Sequence, residues 1–236
     1  MAVGNIWSYE GEHSPSHWSL DFPACNGTRQ SPIDIPTNGS SYANKTRWLK
    51  FKNYGLPLNG TFINNGHSMQ FNPVENGYNL TLKGGFIPKP YKYRFLQLHF
   101  HWGQNDSVGS EHTVDGMQYP LEMHLVHKLI NDDGSNVNQL AVLGVFFNVT
   151  DFDNYFFDPI AKAAELLANG TSEEVQATLV LEDFLQEMFG FEYFSYDGSL
   201  TTPGCDETVT WMVMSRPISI SESQVILSIF MIYNLK

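Results

Sequence analysis

Tyr93 to Trp102 reads YRFLQLHFHW, and Leu121 to Lys128 reads LEMHLVHK. Both are strand-like runs rich in apolar and aromatic residues. On a strand, residues two apart point to one face, so His99 and His101 share a face while Phe100 turns the other way, into core. A third histidine, His124, sits in the second run. Two rings from one strand and one from a neighbour make three corners of a tetrahedron. The fourth corner stays open, which is the arrangement of a catalytic rather than a structural Zn²⁺ site. The simpler reading, polar residues on a solvated strand face, suits the His99–His101 pair alone and stays open with His124 added. His127 lies three residues beyond His124, on the reverse face, and is not counted as a ligand. A ligating imidazole donates its other N–H to an anchor. Gln97 shares the parity of His99, and Glu122 that of His124, so both are candidate anchors.

Outward from these runs the pattern stays strand-rich. Strands are expected at 68–71, 78–82, 91–102, 121–130, 139–149 and 209–215. The opening third is rich in Gly, Pro, Asn and Ser and reads as loops and short edge strands. Helices are expected at 159–168, after an early Pro and before Asn169-Gly170, and at 182–189. Ser221-Glu-Ser-Gln224 looks like a capping box opening a last helix. No repeat or linker divides the 236 residues. The expected fold is mainly β (α+β): a single domain, 1–236, around a large, twisted, mostly antiparallel central sheet with small peripheral helices.

Composition narrows the partners. Formal net charge is −12, which argues against nucleic acid. No basic run suggests an anionic membrane surface. No apolar stretch reaches the roughly 20 residues of a membrane-spanning helix. Asn-x-Ser/Thr triplets begin at Asn26, Asn38, Asn44, Asn59, Asn79, Asn105, Asn148 and Asn169. So many suggest a secretory route, although the start, Met-Ala-Val-Gly-Asn-Ile-Trp, shows no signal peptide. In an oxidising compartment Cys25 and Cys205 would pair. Closing that loop contributes roughly 5 kcal/mol on the chain-entropy model. In a reducing one they would be inert buried thiols.

Several stretches carry a resemblance. They are Trp7-Ser-Tyr9, Gln30-Ser-Pro32-Ile-Asp-Ile35, Asn64-Asn-Gly-His67 and Gln97-Leu-His99-Phe-His101-Trp-Gly103. Gly109-Ser-Glu111-His-Thr-Val-Asp115, Glu122-Met-His124-Leu-Val126-His, Ala141-Val142-Leu-Gly144, Ser199-Leu-Thr201-Thr-Pro203 and Val209-Thr-Trp211 follow. In order and spacing the chain resembles the alpha-type carbonic anhydrases, of the extracellular, disulfide-containing kind, from Trp7 to about Gln224. The resemblance implies reversible hydration of carbon dioxide to bicarbonate and a proton, by attack of a zinc-bound hydroxide. His99, His101 and His124 would hold the Zn²⁺. Thr201 would accept from the hydroxide and donate to Glu111, and Thr202 would help hold bicarbonate. Val126, Val142, Leu200, Val209 and Trp211 would line the apolar carbon dioxide pocket; taken alone they read as core. His67 would be the proton shuttle, reached through waters ordered by Tyr9, Asn65 and Gln70. The family's extracellular members carry a disulfide at positions matching Cys25 and Cys205, and inhibition by sulfonamides is expected.

Two departures stand out. Gly204 follows Pro203 where many members have a second Pro, which would loosen the turn beside Thr201. The chain stops at Tyr233-Asn-Leu-Lys236, before a segment whose backbone carbonyl orients the ligand matching His101. The last helix, from Val225, is apolar nearly all round and offers a surface for oligomerisation. Rival readings are a catalytically weak or silent extracellular matrix or binding protein on the same fold and, with the resemblance set aside, a cupin-like iron or copper protein. Silent relatives usually lose a zinc histidine, and all three are present here.

Overall fold

One strongly connected sheet organises the chain. The computed structural model describes residues 7–41, 48–74, 79–105, 107–130, 134, 137–170, 172–186 and 192–225. In chain order the strands are β1 (Asp34–Ile35), β2 (Leu49–Lys52), β3 (Leu58–Asn64), β4 (Met69–Pro73), β5 (Thr81–Gly84), β6 (Tyr93–Trp102) and β7 (Thr113–Val114). β8 (Leu121–Leu129), β9 (Leu140–Thr150), β10 (Glu174–Leu179), β11 (Tyr193–Gly198), β12 (Val209–Met214) and β13 (Ile218–Ser221) follow. The helices are α1 (Trp18–Asp21), α2 (Asp158–Ala168) and α3 (Leu181–Gln186). Eleven strands form the main sheet in the order β10-β3-β4-β6-β8-β9-β12-β11. β5 bridges β2 to the start of β6, and β13 adds to β9. Every pairing is antiparallel except β12 and β13 on β9. β1 and β7 make a separate parallel pair.

The long central strands β6, β8 and β9 carry apolar residues to both faces, as strands covered on both sides do. One face packs Leu98, Phe100, Leu125 and Phe147 against Ile160, Ala164 and Leu167 of α2. Burying each such side chain is worth about 1.5–3 kcal/mol. The opposite face gathers Val126, Val142, Phe146, Val209 and Trp211 into a second cluster. Between Phe95 and Gln97 the β6–β8 register slips by one residue. A bulge of this kind re-aims the strand. It puts Gln97, His99 and His101 opposite Val126, His124 and Glu122.

Most expected elements fall close to their observed bounds, with corrections. The opening third holds more than loops and edge strands: β3 lies between β10 and β4, inside the sheet. Its Gly60 allows that. A side chain there would collide with the Phe71 ring. The strand expected at 78–82 is shifted to Thr81–Gly84, and Tyr78 lies outside the described residues. The helix expected at 182–189 starts at Leu181 and is described to Gln186. β10, β11 and β13 were not anticipated. Helix α2 carries its Pro in the first turn and ends at Asn169 as expected. The capping box forms reciprocally: Gln224 N donates to Ser221 Oγ at 3.3 Å and Ser221 N to Gln224 Oε1 at 3.2 Å. Residues 222–225 are helical, and the apolar stretch after Val225 lies outside the described residues.

Candidate metal centre

Strands β6 and β8 bring three imidazoles to one point. Register pairs His99 with His124 and His101 with Glu122. Ring centroids are 5.0 Å apart for His99–His101, 5.1 Å for His99–His124 and 4.6 Å for His101–His124. One nitrogen from each ring lies within 4.8 Å of the others.

The partners decide where the protons sit. His99 Nδ1 is 3.0 Å from Gln97 Oε1, an acceptor only, so Nδ1 carries the proton and Nε2 is bare. His124 Nε2 is 2.7 Å from Glu122 Oε1, so its Nδ1 is bare. These two bare nitrogens face each other at 3.3 Å. No hydrogen lies between them, and two lone pairs so close repel. A cation bound to both turns the repulsion into two bonds. Tetrahedral zinc with Zn–N bonds of about 2.05 Å separates its nitrogens by about 3.3 Å. His101 Nε2 is buried without a hydrogen-bond partner, and His101 Nδ1 lies 3.3 Å from Glu111 Oε1. The donor set therefore fits Zn²⁺.

Glu122 is wholly buried yet fully engaged. Oε1 accepts from His112 Nδ1 and His124 Nε2, each at 2.7 Å. Oε2 accepts the backbone N–H of Glu111 and His112, each at 2.9 Å. Burial opposes its ionisation, but the adjoining His112 and His124 hold its pKa well below the usual carboxylate range. His112 Nε2 meets the Tyr196 hydroxyl at 2.6 Å. The sequence offered His112 only as the neighbour of Glu111, and nothing in its spacing marked it as a prop of Glu122. Gly144 was missed likewise. It faces His124 across β8–β9, where a methyl would meet Glu122 Oε1 at 3.2 Å.

Burial, and then the neighbouring His124, pushes His99 down to about 3. Burial also holds His101 and His124 below the ordinary histidine value. All three are neutral at physiological pH, the form that ligates a metal. Glu111 is raised, by burial first and by Glu122 second, while hydrogen bonding from Thr201 acts the other way.

A cavity of about 530 Å³ opens beside these groups, lined by Tyr9, His67, His101, Glu111 and Thr201 among others. His67 is half-buried at its edge and stacks on Trp7, ring centroids 3.6 Å apart. Asn65 Oδ1 accepts the backbone N–H of His67 at 2.9 Å, and Asn65 Nδ2 donates to Gln70 Oε1 at 3.3 Å. The five apolar residues expected beside carbon dioxide sit together. Val126, Val142, Val209 and Trp211 are buried in the second cluster and Leu200 packs on it. The Trp211 ring is 4.8 Å from that of His124.

Thr201 and Thr202 stand on the loop after β11. Trp211 Nε1 donates to Ser199 O at 3.0 Å, and Cys205 N to Thr202 O at 2.9 Å. The Cys25–Cys205 disulfide ties the loop to the N-terminal segment. Glu207 strengthens the tie by accepting from Arg29 N at 2.6 Å and Gln30 Nε2 at 3.1 Å. Gly204 has φ +99°, which no proline can adopt, so the turn beside Thr201 takes a backbone path that a second Pro would not allow.

Three neutral imidazoles converge on one candidate cation site, with a cavity on one side and an apolar cluster on the other. Residues 13–230 match the model of the eukaryotic-type carbonic anhydrases, and the chain belongs to that family of carbon dioxide-hydrating lyases. It is 35% identical to human carbonic anhydrase 7 over 225 residues, 92% of this chain and 83% of that protein. With bovine carbonic anhydrase 6 it shares 36% over 230 residues, 93% of this chain and 70% of that one. With human carbonic anhydrase 12 it shares 35% over 232 residues, 94% of this chain and 63% of that protein. Family membership implies zinc-dependent hydration of carbon dioxide. Among the described residues no helix is long and apolar enough to cross a membrane.

Proposed function

We propose that this chain hydrates carbon dioxide reversibly at a zinc ion held by His99, His101 and His124. The observation that carries the reading is the pair of bare nitrogens, His99 Nε2 and His124 Nδ1, facing each other at 3.3 Å with their protons pinned by Gln97 and Glu122. When bound, zinc supplies a nucleophile at neutral pH by lowering the pKa of water to about 7.

The chain's own residues do the rest. Glu111 accepts a hydrogen bond from the Thr201 hydroxyl, so Thr201 offers only a lone pair to the attacking oxygen and accepts a hydrogen bond from it. That orients the nucleophile's own lone pair toward the substrate. Thr202 stands beside it as a polar contact for bicarbonate. Val126, Val142, Leu200, Val209 and Trp211 give carbon dioxide an apolar wall and give the anionic product little grip. His67, neutral above its burial-lowered pKa, accepts the proton released each turnover and passes it to solvent. Tyr9, Asn65 and Gln70 order the waters along that route. The disulfide and the sequons support an extracellular location, and a primary sulfonamide is the expected inhibitor class.

The test is zinc content together with stopped-flow hydration on the purified chain. One equivalent of zinc, activity lost to a chelator and regained with zinc, and loss of both in His124→Ala are expected. Turnover that survives metal removal overturns the reading. A chain that binds zinc tightly yet does not turn over favours the silent matrix protein.

A further inference from the structure

The −12 chain carries only 13 lysines and arginines, and five of them share one face of the sheet. The register fixes this. Lys52 is opposite Thr81, Thr81 opposite Arg94, and Arg94 opposite Lys128, a row running across β2, β5, β6 and β8. One step along, Lys50 is directly opposite Lys83. Directly opposed residues share a face, and so do residues two apart on a strand. Lys50, Lys52, Lys83, Arg94 and Lys128 are all exposed. Trp48, 57% exposed, precedes Lys50 by two residues at the same edge.

None of the five makes an ion pair with a described residue. The four strands contain one acidic residue, Glu122, which is buried at the far end of β8. Like charges directly opposite destabilise a sheet. Here two such pairs, Lys50–Lys83 and Arg94–Lys128, stand side by side, and no described carboxylate is paired with them. The row spans about 14 Å across the strands, at about 4.8 Å per strand. None of the five lines the cavity beside the histidines, and cations spaced in a row suit anionic groups repeated along an extended chain better than a single small anion. Lys128 is four residues from His124 on the same face, about 13 Å along the strand.

We propose that this face is a docking surface for a sulfated linear polysaccharide. The choice of polymer rests on the extracellular reading above. Anionic lipids are concentrated in the cytoplasmic leaflet, and nucleic acid is not the ordinary counterpart outside the cell. Docking there seats the site on a matrix polymer with its opening about 13 Å away along the same face.

The experiment uses the whole chain, with heparin as probe, unsulfated hyaluronan as control, and phosphatidylserine vesicles and duplex DNA as rivals. Binding is measured by titration across a range of salt centred on about 0.15 M. Heparin binding that weakens steeply with salt is expected, with little binding to hyaluronan. The triple variant K50Q/K52Q/K83Q should bind at least tenfold more weakly, with the log–log salt slope shallower by about 2–3. K162Q, whose lysine pairs with Glu165 on α2, should leave binding unchanged. Hydration activity should be the same in all three proteins. The proposal fails if heparin does not bind, if the triple variant binds as well as the parent, or if vesicles, DNA or hyaluronan bind more tightly than heparin. Self-association abolished by the same triple variant, without heparin binding, also overturns it in favour of a second copy's acidic surface. An inactive chain that still binds heparin sinks the zinc reading alone.

Discussion

Gln97 and Glu122 decide which nitrogens of His99 and His124 are free for metal. Removing either leaves a tautomer unpinned, so Gln97→Ala or Glu122→Ala should weaken zinc affinity about 10–100-fold, read by chelator competition. Unchanged affinity would mean that the anchors do not set the tautomer. Glu122→Ala should also lower stability, since four donors lose their acceptor at once. Thr201→Ala should leave zinc content intact and lower kcat/KM about 10²–10³-fold, the usual loss for one oriented polar contact in a transition state. His67→Ala should lower kcat but not kcat/KM, and added imidazole buffer should restore it. A loss in both constants would argue for a structural histidine stacked on Trp7. Strand parity made His99, His101 and His124 candidate ligands and Gln97 and Glu122 candidate anchors, with a solvated strand face left as the alternative. His112 and Gly144 could not be read that way, because their effect on Glu122 runs through β8–β9 pairing and a loop return that no local spacing encodes.

The loop from Ser199 to Thr208 behaves as one clamped element. It is held by the disulfide, by Glu207 on Arg29 and Gln30, and by Trp211 on Ser199. Gly204 sits at φ +99°, so Gly204→Ala should cost more than about 1 kcal/mol, read by urea unfolding. An Ala variant as stable as the parent would show that the loop has another path. Cys25→Ser should lower stability by about 2–5 kcal/mol and lower kcat with zinc content unchanged, because the loop carries Thr201. Strands β6, β8, β9 and β12 were legible because each is long and mostly apolar. Strands β3, β10 and β11 were harder to read. Their residues are mixed and partly polar, and only cross-strand partners make them strands: β10 pairs with β3 from Glu174 opposite Ile63 to Leu179 opposite Leu58.

The whole molecule titrates through its buried histidines. His127 is fully buried, with its Nδ1 facing Ala141 O at 3.1 Å and its Nε2 meeting the Tyr54 hydroxyl. Burial pushes it down to about 4, as it pushes His99 to about 3. The unfolded chain therefore binds protons below about pH 6.5 that the fold refuses. Stability is complete above that value and falls as pH drops toward about 4 and then about 3. Urea midpoints of the metal-free chain should fall steadily between pH 7 and pH 5. His127→Gln should make that slope shallower by close to one proton, and an unaltered slope would show that His127 does not contribute. Zinc should leave that slope no shallower, since it too holds His99, His101 and His124 unprotonated in the fold while the unfolded chain takes up protons.

Local chemistry in the chain was enough to specify the strand type of its central runs, the shared face of His99 and His101, the capping box at Ser221 and the family motifs, because each depends on periods of two to four residues. Tertiary structure alone decided that His124 lies opposite His99, that β3 runs inside the sheet, that Cys205 reaches Cys25, and that five cations align on one face. These depend on register between strands distant in the chain. Register follows from the summed burial of whole strands and from one bulge at Leu96, and no short stretch of sequence contains that sum.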